Sequence, residues 1–156
     1  MGSVTDIDRG YKKRMRSLRA KLPVLKVGVY GEQAEAIDGE GTITVGALAE
    51  IHEFGLGNVP ERSWLRAYVD ENNARITQMI ARVGEQVAAG KMTPVEALNL
   101  VGLKMVGEIQ QRISAGIDPP NEDSTVQRKG SSTPLIDTGQ FRGSISHEVV
   151  SAGSDL

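Results

Sequence analysis

Two apolar stripes at helical spacing, joined by a short link, constrain this chain more than any other feature. Leu65, Val69, Ile76, Met79, Ile80, Val83 and Val87 trace the first, interrupted at Asn72, and Leu98, Val101, Met105, Ile109 and Ile113 trace the second. Steps of three and four residues place each set on one face of a 3.6-residue repeat. The spacing therefore predicts a long helix over 60–89, closed by Gly90, and a second from Thr93 to Gly116. The start of the second is specified residue by residue. Thr93 is the N-cap, Pro94 takes the first helical position, where its missing N–H costs nothing, and Glu96 completes a capping box. Gly102 and Gly107 lie inside this helix, where each costs about 1 kcal/mol relative to Ala. Close approach to another backbone is the expected compensation.

What the helices cover is read from the flanking segments. Residues 24–30 alternate, with Leu25, Val27 and Val29 on one side, and predict a strand. Residues 31–41 are polar and acidic and read as a loop or hairpin tip. Thr42-Ile43-Thr44-Val45 reads as a second strand, antiparallel to the first, because parallel pairing needs a crossover of a dozen or more residues. At Val45 the period changes from two to 3.6, predicting a short helix over 45–54 with Leu48 and Ile51 inward. Gly55 and Gly57 follow where a C-terminal cap and a tight turn belong. Residues 118–134, rich in Pro, Asn, Ser, Gly and charge, predict a long arm. Residues 136–142 predict a turn or two of helix capped by Asp137 or Thr138. Residues 144–150 alternate as a last strand, with Ile145, His147 and Val149 on one face. Ahead of all this, residues 6–22 predict an amphipathic helix whose Tyr11, Met15, Leu18 and Leu22 recur at steps of four, three and four, ended by Pro23.

The expectation is an α+β fold in one domain over 1–156. A small, mostly antiparallel sheet of three or four strands packs against two long helices. An N-terminal basic helix (1–23), a sheet and helical core (24–116), an extended arm (117–134) and a C-terminal turn and strand (135–156) follow in order. Its core is expected to hold Leu25, Val27, Val29, Ile43, Leu48, Ile51, Trp64, Leu65, Ile76, Ile80, Leu98, Met105 and Ile109.

With aromatics at 4% and one Trp, that core is mainly aliphatic. The lack of Cys excludes disulfides, thiolate metal sites and a cysteine nucleophile. No apolar run approaches the roughly 20 residues of a membrane span, and no signal-peptide core is present, so a soluble intracellular product without membrane contact is expected. The net charge of -2 conceals a segregation. Every charge from Arg9 to Lys26 is basic, and every charge from Glu32 to Glu61 is acidic. Arg14, Arg16 and Arg19 against Glu32, Glu35 and Asp38, with Lys129 and Arg142, are the candidate subunit or partner interface. Two readings stay open: patches that meet between neighbours, or two solvated faces.

Catalytic chemistry finds little support. Leu135-Ile136-Asp137-Thr138-Gly139 resembles the catalytic loop of aspartic proteases, in which paired Asp residues share a proton. Here Gln140 stands where those enzymes carry Ala or Ser, and 17 residues follow Gly139, too few for the β domain they need. His52-Glu53 lacks the second His that a zinc helix requires four residues on, because position 56 is Leu56. No catalytic residue, cofactor or metal is expected. The basic N-terminal run also suits non-specific contact with nucleic acid, although no aromatics interleave with it and the chain is mildly acidic.

Three segments carry a resemblance to a known family: Ala-Glu-Ile-His-Glu-Phe-Gly at 49–55, Pro-Glu-Arg-Ser-Trp-Leu-Arg at 60–66, and Pro-Leu-Ile-Asp-Thr-Gly-Gln-Phe-Arg-Gly-Ser-Ile at 134–145. With Thr125 followed by Lys129, and in this order, the chain from about Val24 to Val149 resembles the tail-completion proteins of tailed bacteriophages, the minor tail protein Z-like neck family. Members open the long helix with a Pro-x-Arg-Pro-Phe-like string; this chain has Ser63-Trp64 in the last two places and keeps the aromatic. The resemblance implies a non-enzymatic virion protein assembled in the bacterial cytoplasm. It would act as a ring, six-fold to match a tail tube, between the tail terminator and tail tube on one side and head connector or adaptor proteins on the other. Packaged DNA is a further possible contact. Tail terminators and head-closure proteins of the same neck share small α+β designs and are the alternative.

Overall fold

The computed structural model describes residues 22–38, 42–120 and 139–151. The N-terminal basic segment and most of the arm, with Arg14, Arg16, Arg19 and Lys129, lie outside them, as do Asp137 and Thr138. The elements are β1 (Val24–Gly28), α1 (Gly31–Glu35), α2 (Val45–Phe54), α3 (Arg66–Ala88), α4 (Pro94–Ala115), α5 (Gln140–Ser144) and β2 (Ser146–Val150). This is an α+β arrangement with mostly helices and a two-stranded antiparallel sheet.

The helical hairpin follows the sequence closely. Thr93 accepts from the Glu96 N–H at 3.2 Å while the Glu96 carboxylate accepts from the Thr93 N–H at 2.7 Å, the reciprocal capping box. Ion pairs Arg75–Glu108 and Glu71–Arg112 each step by one turn along both helices, which makes α3 and α4 antiparallel neighbours. The first helix starts at Arg66 rather than at residue 60, because 60–65 are committed to other partners.

The sheet differs from expectation. β1 pairs with β2, from Val24 opposite Val150 to Gly28 opposite Ser146, giving two strands instead of three or four. Thr42–Val45 is no strand. It contributes a single bridge, Ile37 with Thr44, and Thr44 then caps α2 by accepting from the Ala47 N–H at 3.2 Å. A threonine that serves a helix cap leaves too short a run for a ladder. The expected loop at 31–41 begins with the five residues of α1. The last short helix has Gly139 at its N-cap, rather than Asp137 or Thr138.

α4 is the central element. α3 lies along one side of it, and the sheet lies on another. Gly102 lets the sheet come close. A Cβ there would lie 2.4 Å from the His147 ring and 2.8 Å from Leu25, so the approach is to side chains of both strands and not to a backbone. No heavy atom among the described residues lies within 4 Å of a Cβ placed at Gly107, so the expected compensation is absent there. α2 contributes Val45 and Ala49, α5 contributes Phe141, and Ile145 follows directly after α5. With Trp64, Tyr68, Val101, Met105, Val106, Ile109, Ile113 and Ile117 they form the buried core. Ile117 thus belongs to the core, not to the arm. Leu25, Val27, Val29, Leu48, Leu65 and Ile76 pack against the core half-buried, and Ile51 and Leu98 are half-buried as well. Ile43 and Ile80 are corrections, at 45% and 46% exposed.

Candidate partner interface and the Glu53 hub

The three segments singled out in the sequence meet in space. α2 ends at Gly55, whose left-handed backbone (φ 66°) turns the chain sharply; a Cβ there would lie 2.7 Å from the Glu61 nitrogen. The Arg62 N–H then donates to the His52 carbonyl at 2.7 Å, which brings 62–66 alongside the last turn of α2.

Glu53 is placed by this turn under the start of α3, and it is buried. Its two oxygens accept from the Ser63 hydroxyl (2.7 Å) and from the N–H groups of Trp64 (2.9 Å), Leu65 (3.0 Å) and Arg66 (2.9 Å). Those amides have no partner inside the helix, and a carboxylate at a helix N-terminus also opposes the positive end of the dipole. Ser63 adds a second link by accepting from the Ala67 N–H at 3.0 Å. This carboxylate serves as a remote cap. Four donors use its lone-pair positions, which leaves none for a metal or a substrate.

Trp64 joins the third segment. Its indole N–H donates to the Ala49 carbonyl at 3.1 Å, and its ring meets Phe141 edge-on, with centroids 5.3 Å apart and planes at 88°. Buried aromatic rings favour that geometry. Arg66 lies 5.3 Å over the Phe54 ring and pairs with Glu61 at 2.5 Å. Arg62 is buried beside them and donates to the carbonyls of Pro119 (2.6 Å) and Pro120 (3.0 Å), tying the chain just past Ile117 to the start of α3. Burial lowers its pKa from the usual guanidinium value. An open cavity of about 540 Å³, lined by Glu61, Ser63, Ala67, Arg112 and Gly116–Asp118, lies beside that segment.

A second polar cluster braces α3 to α4. Glu108 accepts from the Tyr68 hydroxyl at 2.7 Å and from both Arg75 terminal nitrogens, with Lys104 at 3.2 Å. Hydrogen bonds from Arg75 hold the Glu108 carboxyl at about 2, and burial followed by the Glu108 contact raises the Tyr68 phenol.

The predicted interface residues divide. Glu32 and Glu35 are exposed on α1, Asp38 is half-buried beyond it, and none has a side-chain partner among the described residues. The acidic run does not form one patch, however. Glu53 and Glu61 are used internally. Arg142 is tied to the end of α4, donating to the Ser114 hydroxyl at 2.9 Å while its carbonyl accepts from Gln110 at 3.2 Å. The structure does not bring it to Glu32 or Glu35. Sequence reasoning missed Glu53 as a hub, reading it as part of a failed zinc motif. Its signal was the long helix beginning just past a glycine turn.

Among the described residues no group of three or more His, Asp or Glu is disposed to hold a metal ion, and no helix is long and apolar enough to cross a membrane. No protein-family model, no curated protein and no solved structure matches this chain.

Proposed function

We propose that this protein is a non-catalytic structural subunit of a bacteriophage neck, where a ring of copies completes the tail and helps join it to the head. The observation that carries the reading is the convergence at Trp64 and Glu53. Two of the segments behind the resemblance to tail-completion proteins, 49–55 and 60–66, are separated by a short turn and bond to one another through Glu53–Ser63 and Trp64–Ala49, and the distant third joins them through Trp64–Phe141. Their polar groups are consumed by architecture, as suits a protein that assembles and does no chemistry.

In this reading Glu32, Glu35 and Asp38, without a side-chain partner among the described residues, offer an acidic surface to the basic N-terminal run of a neighbour. Heterologous contacts of that kind build a ring where the rotation between neighbours closes. The partners are then other copies of the chain, tail terminator and tail tube proteins on one side, and head connector proteins on the other. Reversal of Arg14, Arg16 and Arg19 to Glu is expected to give folded monomers by analytical ultracentrifugation, and Lys at 32, 35 and 38 is expected to restore joining in part. Rings of unchanged size from the reversed protein contradict the charge-paired ring.

A further inference from the structure

We propose that the outer edge of β2 and the exposed leucines of α4 form a strand-addition site. Its occupant is an extended segment of a partner protein that alternates apolar and basic side chains. Among the described residues the sheet has two strands, and an outer edge presents N–H and C=O groups that a further strand can pair with. The contacts of α4 show which edge has an apolar wall beside it. Asn99 holds the His147 ring of β2 at 3.2 Å, and Gly102, about 60° round the helix, lies against both that ring and Leu25 of β1. Leu103 lies about 40° from Asn99 in the other direction. β2 is therefore the strand on the Leu103 side, and β1, whose Leu25 and Val27 pack against the core, lies beyond it. Further along the same side of α4, Gln110 donates to the carbonyl of Arg142, just ahead of β2. β2 thus runs antiparallel to α4 along this side.

The helix face beside that edge is apolar and exposed. Leu103 is 64% exposed and Leu100 53%. Gly107, one turn after Leu103, has no described heavy atom within 4 Å of a Cβ placed on it, so a backbone can come close there. Asn99 and Gln110 stand about 17 Å apart along the helix axis, the length of about five residues of strand. Chemistry then selects the occupant. The edge groups suit an extended backbone, whose side chains alternate between the leucines and solvent. His147 faces Gly102, so its neighbour Glu148 faces away from α4. The ion pair of Glu148 with Lys26, at 3.6 Å, leaves its side chain 45% exposed. A basic residue is the favoured cross-strand neighbour for that carboxylate. Pairing of β2 with its own copy about its middle residue would instead set Glu148 against Glu148, a destabilising like-charge contact. The occupant is therefore a strand of a different protein, apolar toward α4 and basic away from it. The site is independent of the neck reading.

The probe is a fluorescein-labelled peptide of four Lys-Val repeats, added to the full chain and followed by anisotropy, with Trp64 fluorescence as the check on folding of each variant. The peptide is expected to bind and to slow amide exchange within 146–150. Leu100→Gln combined with Leu103→Gln, which changes no charge, is expected to weaken binding at least tenfold. A peptide of equal charge with Pro in place of its two central Val residues cannot continue a ladder and is expected to bind at least tenfold less. Glu148→Lys is expected to weaken the Lys-Val peptide and to favour a Glu-Val one. Absence of binding, equal binding by the proline peptide, or binding unchanged in the double leucine variant overturns the proposal. So does exchange that slows elsewhere and not in β2. A dimer of the protein alone by analytical ultracentrifugation, lost in the double leucine variant, would assign the edge to a second copy and overturn it as well.

Discussion

Glu53 shows how much one side chain can specify. Its carboxylate satisfies three amides and a hydroxyl at the start of a helix whose N-cap residue, Leu65, offers no side-chain cap of its own. Removing a buried acceptor strands those donors, each at a cost near 1 kcal/mol or more. Glu53→Ala is expected to lower unfolding free energy by about 3 kcal/mol in urea titrations followed by Trp64. Glu53→Gln, which keeps one acceptor oxygen, should lose about half as much. A change under about 0.5 kcal/mol for Ala would remove Glu53 from this role. Glu108 acts differently, through charge. Its folded pKa of about 2 lies below the ordinary value of 4.5. The ionised form is therefore favoured by folding, and that stabilisation is complete above the ordinary value and disappears as pH falls toward 2. Because Arg75 is half exposed, screening limits it to about 1–2 kcal/mol. Stability measured from pH 6 to pH 2 should fall less steeply in Glu108→Gln than in the parent chain; parallel curves would contradict the assignment.

At the scale of elements, the long helices and both strands were legible, while the extra strand at 42–45 and the loop at 31–35 were misread. α2 begins and ends where the apolar period changes and Gly55 intervenes, and α4 begins at its capping box, because helix boundaries are set by neighbours in sequence. Strand partners are chosen by tertiary packing. Thr42–Val45 has β-branched residues suited to a strand, yet Thr44 serves a helix, and β1 finds its partner near the other end of the chain. The bounds of α3 were misjudged for the same reason, since the residues before Arg66 answer to Glu53. The acidic run was visible as a pattern, but no sequence pattern shows that Glu53 is buried while Glu32 is exposed. Two glycines contrast what sequence and structure see. Gly102 and Gly84 carry the same helical cost, but a Cβ at Gly102 collides with His147 and Leu25, whereas Gly84 faces open space. Gly84→Ala is expected to stabilise by about 0.5–1 kcal/mol and Gly102→Ala to destabilise by about 2 kcal/mol, compared by denaturant midpoints. Equal and favourable shifts would mean that the sheet does not press on α4.

For the molecule as a whole, the arrangement is a helical hairpin with a small sheet on one side and a hub of buried polar contacts at one end. The hub anchors α2, α3, α5 and the Pro119–Pro120 segment to one another through Glu53, Trp64 and Arg62. The acidic residues of α1, Glu32 and Glu35, are exposed. A subunit that holds neighbours in register is the role we propose for this arrangement. The most direct test of that account is electron microscopy of phage particles assembled without this protein. The account predicts full heads and finished tails lying separate, with joining restored when the purified protein is added. Normally joined, infectious particles in its absence would contradict it.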